Sequence, residues 1–182
     1  VANEFNISRK DQDEFALNSH LKALKAQAEG RFDSQIVPIT VNQTYVDANG
    51  KKATKSYVVN KDEGPRLGSN IDGLEKLRPV FAANGSVTAG NSSQMSDGAA
   101  FVMVMSEDMV KELNLKPIAR MVSYAATGVP PRIMGIGPVA AIPKALKQGG
   151  LHQNDVGLIE LNEAFASQSL AVIRELGLDP NM

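Results

Sequence analysis

The stretch VGLIELNEAFASQSLAVIREL, Val156 to Leu176, holds two kinds of apolar pattern in one line. Val156, Leu158, Ile159 and Leu161 crowd into six residues, a run that suits a strand covered on both faces. From Glu163 onward the apolar residues return at helical spacing, as on an amphipathic helix. The stretch therefore predicts a buried strand running directly into a helix. Two polar residues, Asn162 and Glu163, stand at the junction. Reading outward, VAAIPKALKQGG predicts a short helix and PIARMVSYAA another strand. Ser106 is a helix cap with Glu107 and Asp108 in the first turn, where carboxylates are favoured. AAFVMVM, just before it, is apolar on both faces and reads as a central strand. Strand and helix thus alternate through the second half, which predicts an α/β architecture around a mostly buried sheet.

The first half is organised differently. Ser8 and Asp11 have capping-box spacing. Leu17, Leu21, Leu24 and Ala28 follow at helical intervals, and Gly30 is a stop signal. A helix is expected over about 9–29. QIVPITV reads as a strand, and TYVDANGKKATKSYVV as a hairpin around Asn49-Gly50. KDEGPRLGSN, residues 61–70, reads as an exposed loop carrying one arginine, and GLEKLRPVF as a helical turn ended by Pro79. Near Val87 the composition shifts from this loop-rich region to the regular α/β region.

Composition excludes several functions. The 182 residues are 43% hydrophobic and 21% charged, as in ordinary globular proteins, and suffice for one medium domain or parts of two. A net charge of −1 gives no general attraction to nucleic acid or membranes. No apolar run approaches the ~20 residues of a membrane span. With no cysteine there is no disulfide and no thiolate metal site, and two histidines far apart form no cluster. Asn-x-Ser/Thr triplets at Asn6, Asn42, Asn84 and Asn91 are read as chance. The chain begins with Val1, so it is expected to be part of something longer.

Ligands of α/β sheets collect beyond the carboxyl ends of strands, which points to loops 88–98, 127–138 and 162–164. GIGP at 135–138 lacks the spacing of a dinucleotide fingerprint, and no phosphate-binding P-loop motif is present. Asn162 has two readings. Its amide can donate to a carbonyl oxygen or to a water held against one, which matters wherever negative charge develops. Alternatively it caps the helix that follows, a common use of asparagine. Glu163 reads as a first-turn carboxylate of that helix. A Ser/His/Asp triad is disfavoured by the scarcity of histidine.

GSVTAGNSSQMSDGAA, RIMGIGPVAAIPKAL and IELNEAFA occur in the order and spacing of the thiolase family, the acyl-CoA acetyltransferases. SRKDQDEFAL and AEGRFDSQIVPI are also similar to that family's middle region, so the resemblance runs along the whole chain. It implies a partial thiolase fold, layered αβαβα, with a loop-rich insertion. Residues 1–95 would be the loop domain that covers coenzyme A. Residues 96–116 would be the returning strand and helix of the N-terminal half, and 117–182 the first part of the C-terminal half.

The resemblance also implies chemistry. Thiolases take an acyl group from a 3-ketoacyl-CoA on one cysteine, activated by a histidine in Gly-His-Pro, and use a second cysteine to move the α-proton. The asparagine of Asn-Glu-Ala-Phe, here Asn162, helps to build an oxyanion hole. The other members of that set are absent from these residues, so the chain resembles the middle of a thiolase and is expected to be inactive alone. Arg66 would meet the nucleotide end of coenzyme A, where a guanidinium pairs with phosphate or stacks on adenine. Gly73 falls where some relatives carry a CoA-contacting serine. Phe81, Ala89 and Ser93 would line the pantetheine path, and Met95, Met134 and Phe165 would form apolar walls near the reacting end.

The implied reaction is thiolytic cleavage of 3-ketoacyl-CoA by CoA in fatty-acid β-oxidation, because GVPPRIMGIGPVAAIPKAL is closer to the degradative branch. The alternatives are condensation of two acetyl-CoA by an acetoacetyl-CoA thiolase, and a non-catalytic acyl-CoA binder. No metal or redox cofactor is implied, coenzyme A being a substrate. The expected partners are acyl-CoA and CoA, with neither nucleic acid nor membrane, in a cytoplasmic homodimer or homotetramer.

Overall fold

A computed structural model describes residues 1–180. Helix α1 spans Arg9–Ala28, strands β1 and β2 span Ile39–Val46 and Lys52–Val59, and α2 spans Ile71–Glu75. Helix α3 follows at Glu107–Glu112, a 3-10 helix at Pro131–Ile136, α4 at Gly137–Gly149, a 3-10 turn at Gln153–Asp155, and α5 at Ala166–Leu176.

Local chemistry sets the ends of α1. Ser8 Oγ accepts the Asp11 N–H at 3.0 Å, and the Asp11 carboxylate accepts the Ser8 N–H at 3.2 Å, forming the expected capping box. At the other end Gly30 takes φ 68°, while the N–H groups of Gly30 and Arg31 bond back to Gln27 and Ala26. The face that α1 buries is not the leucine stripe, for Leu21 is 49% exposed. Gln12, Asp13 and Ala16 are buried instead. This face is polar because it meets polar side chains of the 86–91 loop, Gln12 donating to Ser86 Oγ and Asp13 accepting from Asn91 Nδ2.

Strands β1 and β2 pair antiparallel from Ile39↔Val59 to Val46↔Lys52. The connection bends on the Asp47 carboxylate, which accepts the N–H groups of Asn49 and Lys51. Gly50 supplies the left-handed residue, at φ 74°.

Three expected strands are corrected. Residues 99–105, 117–126 and 156–161 belong to no helix and to no paired strand. Among the described residues, the only sheet is the β1–β2 hairpin. A strand exists as one member of a hydrogen-bonded ladder, and none lies beside these segments. Their side chains are correspondingly open: Phe101, Val102, Met103, Ile118 and Leu158 are all exposed. The 117–126 segment still runs along α4, where Ser123 Oγ donates to the Ala145 carbonyl at 2.8 Å and Lys144 Nζ to that of Ala126 at 3.0 Å.

The best-packed element is α5. Ala166, Ser167, Gln168, Ser169, Ala171 and Val172 are all buried, so its first turns are covered on every side. Alanine and serine there let α1, α4 and the Pro131–Ile136 helix approach closely. Gly177, at φ 60°, closes α5 as Gly150 closes α4.

An ion pair ties α5 to the start of α1, with Arg174 Nη2 3.1 Å from Asp11 Oδ2. That hydrogen bond, chiefly, holds the Asp11 carboxyl below its ordinary range. A carboxyl depressed by folding contributes stability above its unfolded pKa, and the contribution is lost as pH falls through the folded value. Arg174→Ala should therefore raise the Asp11 midpoint in an NMR titration. Because the pair is solvated, the loss of stability at neutral pH should stay within about 1 kcal/mol and vanish in acid. An unmoved Asp11 midpoint would contradict this.

Candidate functional site

The site begins where α5 begins. Its N-cap is Phe165, extended at φ −143° and ψ 138°, with no side-chain capping bond. Asn162 lies three residues before that cap, so it does not cap α5 and its amide is free for other work. Glu163 likewise falls outside the helix. It accepts a hydrogen bond from Ser19 Oγ of α1 at 2.6 Å.

Residues 91–93 fix the approach to α5. The Ser93 N–H donates to the Ala164 carbonyl at 3.0 Å, and the Ala166 N–H donates to that of Asn91 at 3.0 Å. The two bonds straddle Phe165, which forms an antiparallel bridge with Ser92. Behind them, Asn91 is 2% exposed. Its Oδ1 accepts the Thr88 N–H at 2.8 Å, while its Nδ2 donates to the Ser86 carbonyl at 3.1 Å and to Asp13 Oδ1 at 2.9 Å. Such burial agrees with reading its Asn-x-Ser triplet as chance.

The Asp13 side chain is fully buried, and Arg9 Nε stands 2.7 Å from its other oxygen. Arg9 Nη2 also donates to the carbonyls of Leu74 and Leu77, at 2.7 and 3.1 Å, which binds the end of α2 to α1. A buried carboxylate is very costly alone, and these partners compensate it.

In front of α5 lies a cavity of about 600 Å³. Phe81, Met134, Asn162 and Phe165 all line it, although 84 positions separate the first from the last. The Phe81 and Phe165 rings meet edge to face, with centroids 6.1 Å apart and planes at 75°. Apolar walls with the Asn162 amide among them suit a ligand with an apolar body and a polar centre.

The remaining predicted residues lie outside this lining. Arg66 is exposed on the 61–70 loop, and its carbonyl accepts from Ser69 Oγ. Ala89, Ser93 and Met95 are also exposed. Gly73 lies within α2 and donates its N–H to the capping side chain of Asn70.

Ser86, Arg132 and Gln168 border the cavity without having been anticipated. Arg132 forms a two-pronged pair with Glu4, which anchors the N-terminal residues at the cavity. Asp13 and Asn91 were missed as well. A charged residue inside a helix normally signals a solvated face, and no local feature distinguishes Asp13 from Glu14. Gly135 shows why the GIGP segment needs its first glycine, for a Cβ there would stand 2.7 Å from Gln168 Cγ.

Comparison with known proteins gives matches along nearly the whole chain. Residues 1–108 match the family model for the thiolase N-terminal domain, and 115–182 that for the thiolase C-terminal domain. The 3-ketoacyl-CoA thiolase of Bacillus subtilis is 53% identical over 179 residues, 98% of this chain and 46% of that protein. A crystal structure of the Bacillus anthracis acetyl-CoA acetyltransferase superposes with a TM-score of 0.85 at 48% identity, covering 98% of this chain and 43% of that one. The dimeric peroxisomal thiolase of Saccharomyces cerevisiae gives 0.83 at 45% identity, covering 100% and 43%. The chain thus spans less than half the length of these relatives.

Proposed function

This chain belongs to the thiolase family, and on that premise we propose that its parent protein transfers acyl groups between 3-ketoacyl-CoA and CoA. One observation carries the reading: residues from three distant segments converge on one cavity, with Asn162 released from helix capping. In the proposed reaction the Asn162 amide donates to a water that faces the thioester oxygen. It stabilises the negative charge that develops there when the thioester is attacked or its α-carbon is deprotonated. Phe81, Met134 and Phe165 give the reacting end apolar walls, and in this reading the remainder of the parent closes them against bulk water, which strengthens that interaction. Arg66, Ala89, Ser93 and Met95 are assigned to the coenzyme-A path along the loop region.

The nucleophile and base are not among these 182 residues, which contain no cysteine. In this reading the remainder of the parent supplies them, and also covers the open apolar segments at 101–104, 118–124 and 158–161. We accordingly expect a homogeneous preparation of these 182 residues to show no thiolysis of acetoacetyl-CoA, while the parent shows it. The absorbance of the magnesium-enolate form of the 3-ketoacyl-CoA follows both. Turnover by the chain alone, or none by the parent, would refute the assignment.

Thiolytic degradation in fatty-acid β-oxidation is the preferred physiological reaction, supported by the GVPPRIMGIGPVAAIPKAL segment. The second reading, condensation of two acetyl-CoA, predicts higher relative activity on acetoacetyl-CoA than on long-chain 3-ketoacyl-CoA. A homodimeric or homotetrameric parent in the cytoplasm completes the proposal.

A further inference from the structure

Asp13 has no place in the chemistry above, yet it is a fully buried carboxylate on a helix whose leucines are more open than it is. We propose that Asp13 is a positioning residue for Asn162, acting through Asn91. An ionised carboxylate only accepts hydrogen bonds. Its Oδ2 is taken by Arg9, and its Oδ1 faces Asn91. Asn91 must therefore present its NH2 group to Asp13, which turns its Oδ1 to the Thr88 N–H. With both ends of that amide engaged, the Asn91 backbone is fixed. Its carbonyl accepts the first N–H of α5, which has no partner inside the helix. Two residues on, Ser93 holds the Ala164 carbonyl. The strip 164–166 is thereby pinned from behind, and Asn162, which lines the cavity, lies two residues before it. Gln12, one residue from Asp13, reinforces the same loop by donating to Ser86 Oγ at 2.9 Å.

The structural half of this proposal concerns the chain itself, and the catalytic half rests on the acyl-transfer reading. Amide hydrogen exchange followed by NMR separates them. In Asp13→Asn the exchange of the Ser93 and Ala166 amides should accelerate about tenfold or more through local opening, while the β1–β2 hairpin amides keep their rates. Unchanged Ser93 and Ala166 would overturn the proposal, and so would equal acceleration everywhere, since that is loss of global stability. Should Asp13→Asn fail to fold, Asn91→Ala removes the same link while leaving the Arg9–Asp13 pair, and the same local pattern is expected.

In the full-length parent, Asp13→Asn should lower kcat about ten- to hundredfold by misplacing the donor, with KM for CoA within roughly twofold. Local opening with unchanged kcat would overturn the positioning role. An unmutated parent without acyl transfer would instead overturn the functional reading, and the exchange rates would still decide what Asp13 holds in place.

Discussion

Asn162→Ala in the full-length parent should lower kcat for thiolysis by about 10²–10³, or ~2.7–4 kcal/mol of barrier, the usual consequence of losing one oxyanion donor. KM for CoA should change little, because the contact strengthens only as charge develops on the oxygen. The fold should be unaffected. Asn162 does not cap α5, and among the described residues no hydrogen bond from its side chain holds another element. Asn162→Asp should be at least as damaging, since a carboxylate would repel the oxyanion that the amide attracts. Steady-state kinetics with thermal unfolding as a control decides the matter. If kcat falls only together with the melting temperature, the residue is structural and the oxyanion assignment fails.

Gly135→Ala is the second large effect, and it falls on stability. The added Cβ would stand 2.7 Å from Gln168 Cγ and 3.0 Å from Gln168 Cβ. The Cβ is fixed to the α5 backbone, so rotating the side chain cannot relieve the clash. The Pro131–Ile136 helix must move away from α5, carrying Met134 and the cavity wall with it. Overpacking of this kind costs about 1–3 kcal/mol. Gly157, outside the helices, has nothing beyond its chain neighbours within 4 Å of an added Cβ and no positive φ. Gly157→Ala should be neutral or stabilise by up to about 1 kcal/mol. Urea unfolding of the two variants makes the comparison, and equal midpoints would show that the close approach at Gly135 is not real.

The sequence by itself determined features written in neighbouring residues. The Ser8–Asp11 capping box, the stop at Gly30, the turn at Asn49-Gly50 and the Ser106 cap depend on backbone groups within a few positions. The resemblance to the thiolase family, rather than any local pattern, brought Phe81, Met134, Asn162 and Phe165 forward, along with Arg66, Ala89, Ser93 and Met95, which lie outside the cavity lining.

Tertiary structure decided whatever needed a distant partner. AAFVMVM has the composition of a central strand, but a strand requires a neighbour to pair with, and the described residues offer it none. The leucine stripe of α1 was visible, yet Gln12 and Asp13 are buried, because the loop that meets α1 there presents the polar side chains of Ser86 and Asn91. Asn162 is a good capping residue by type, but the Asn91 and Ser93 backbone holds the chain extended as far as Phe165 and starts the helix later. No local pattern encodes that delay. It follows from a carboxylate on α1 and an amide 78 residues away that satisfy each other inside the fold.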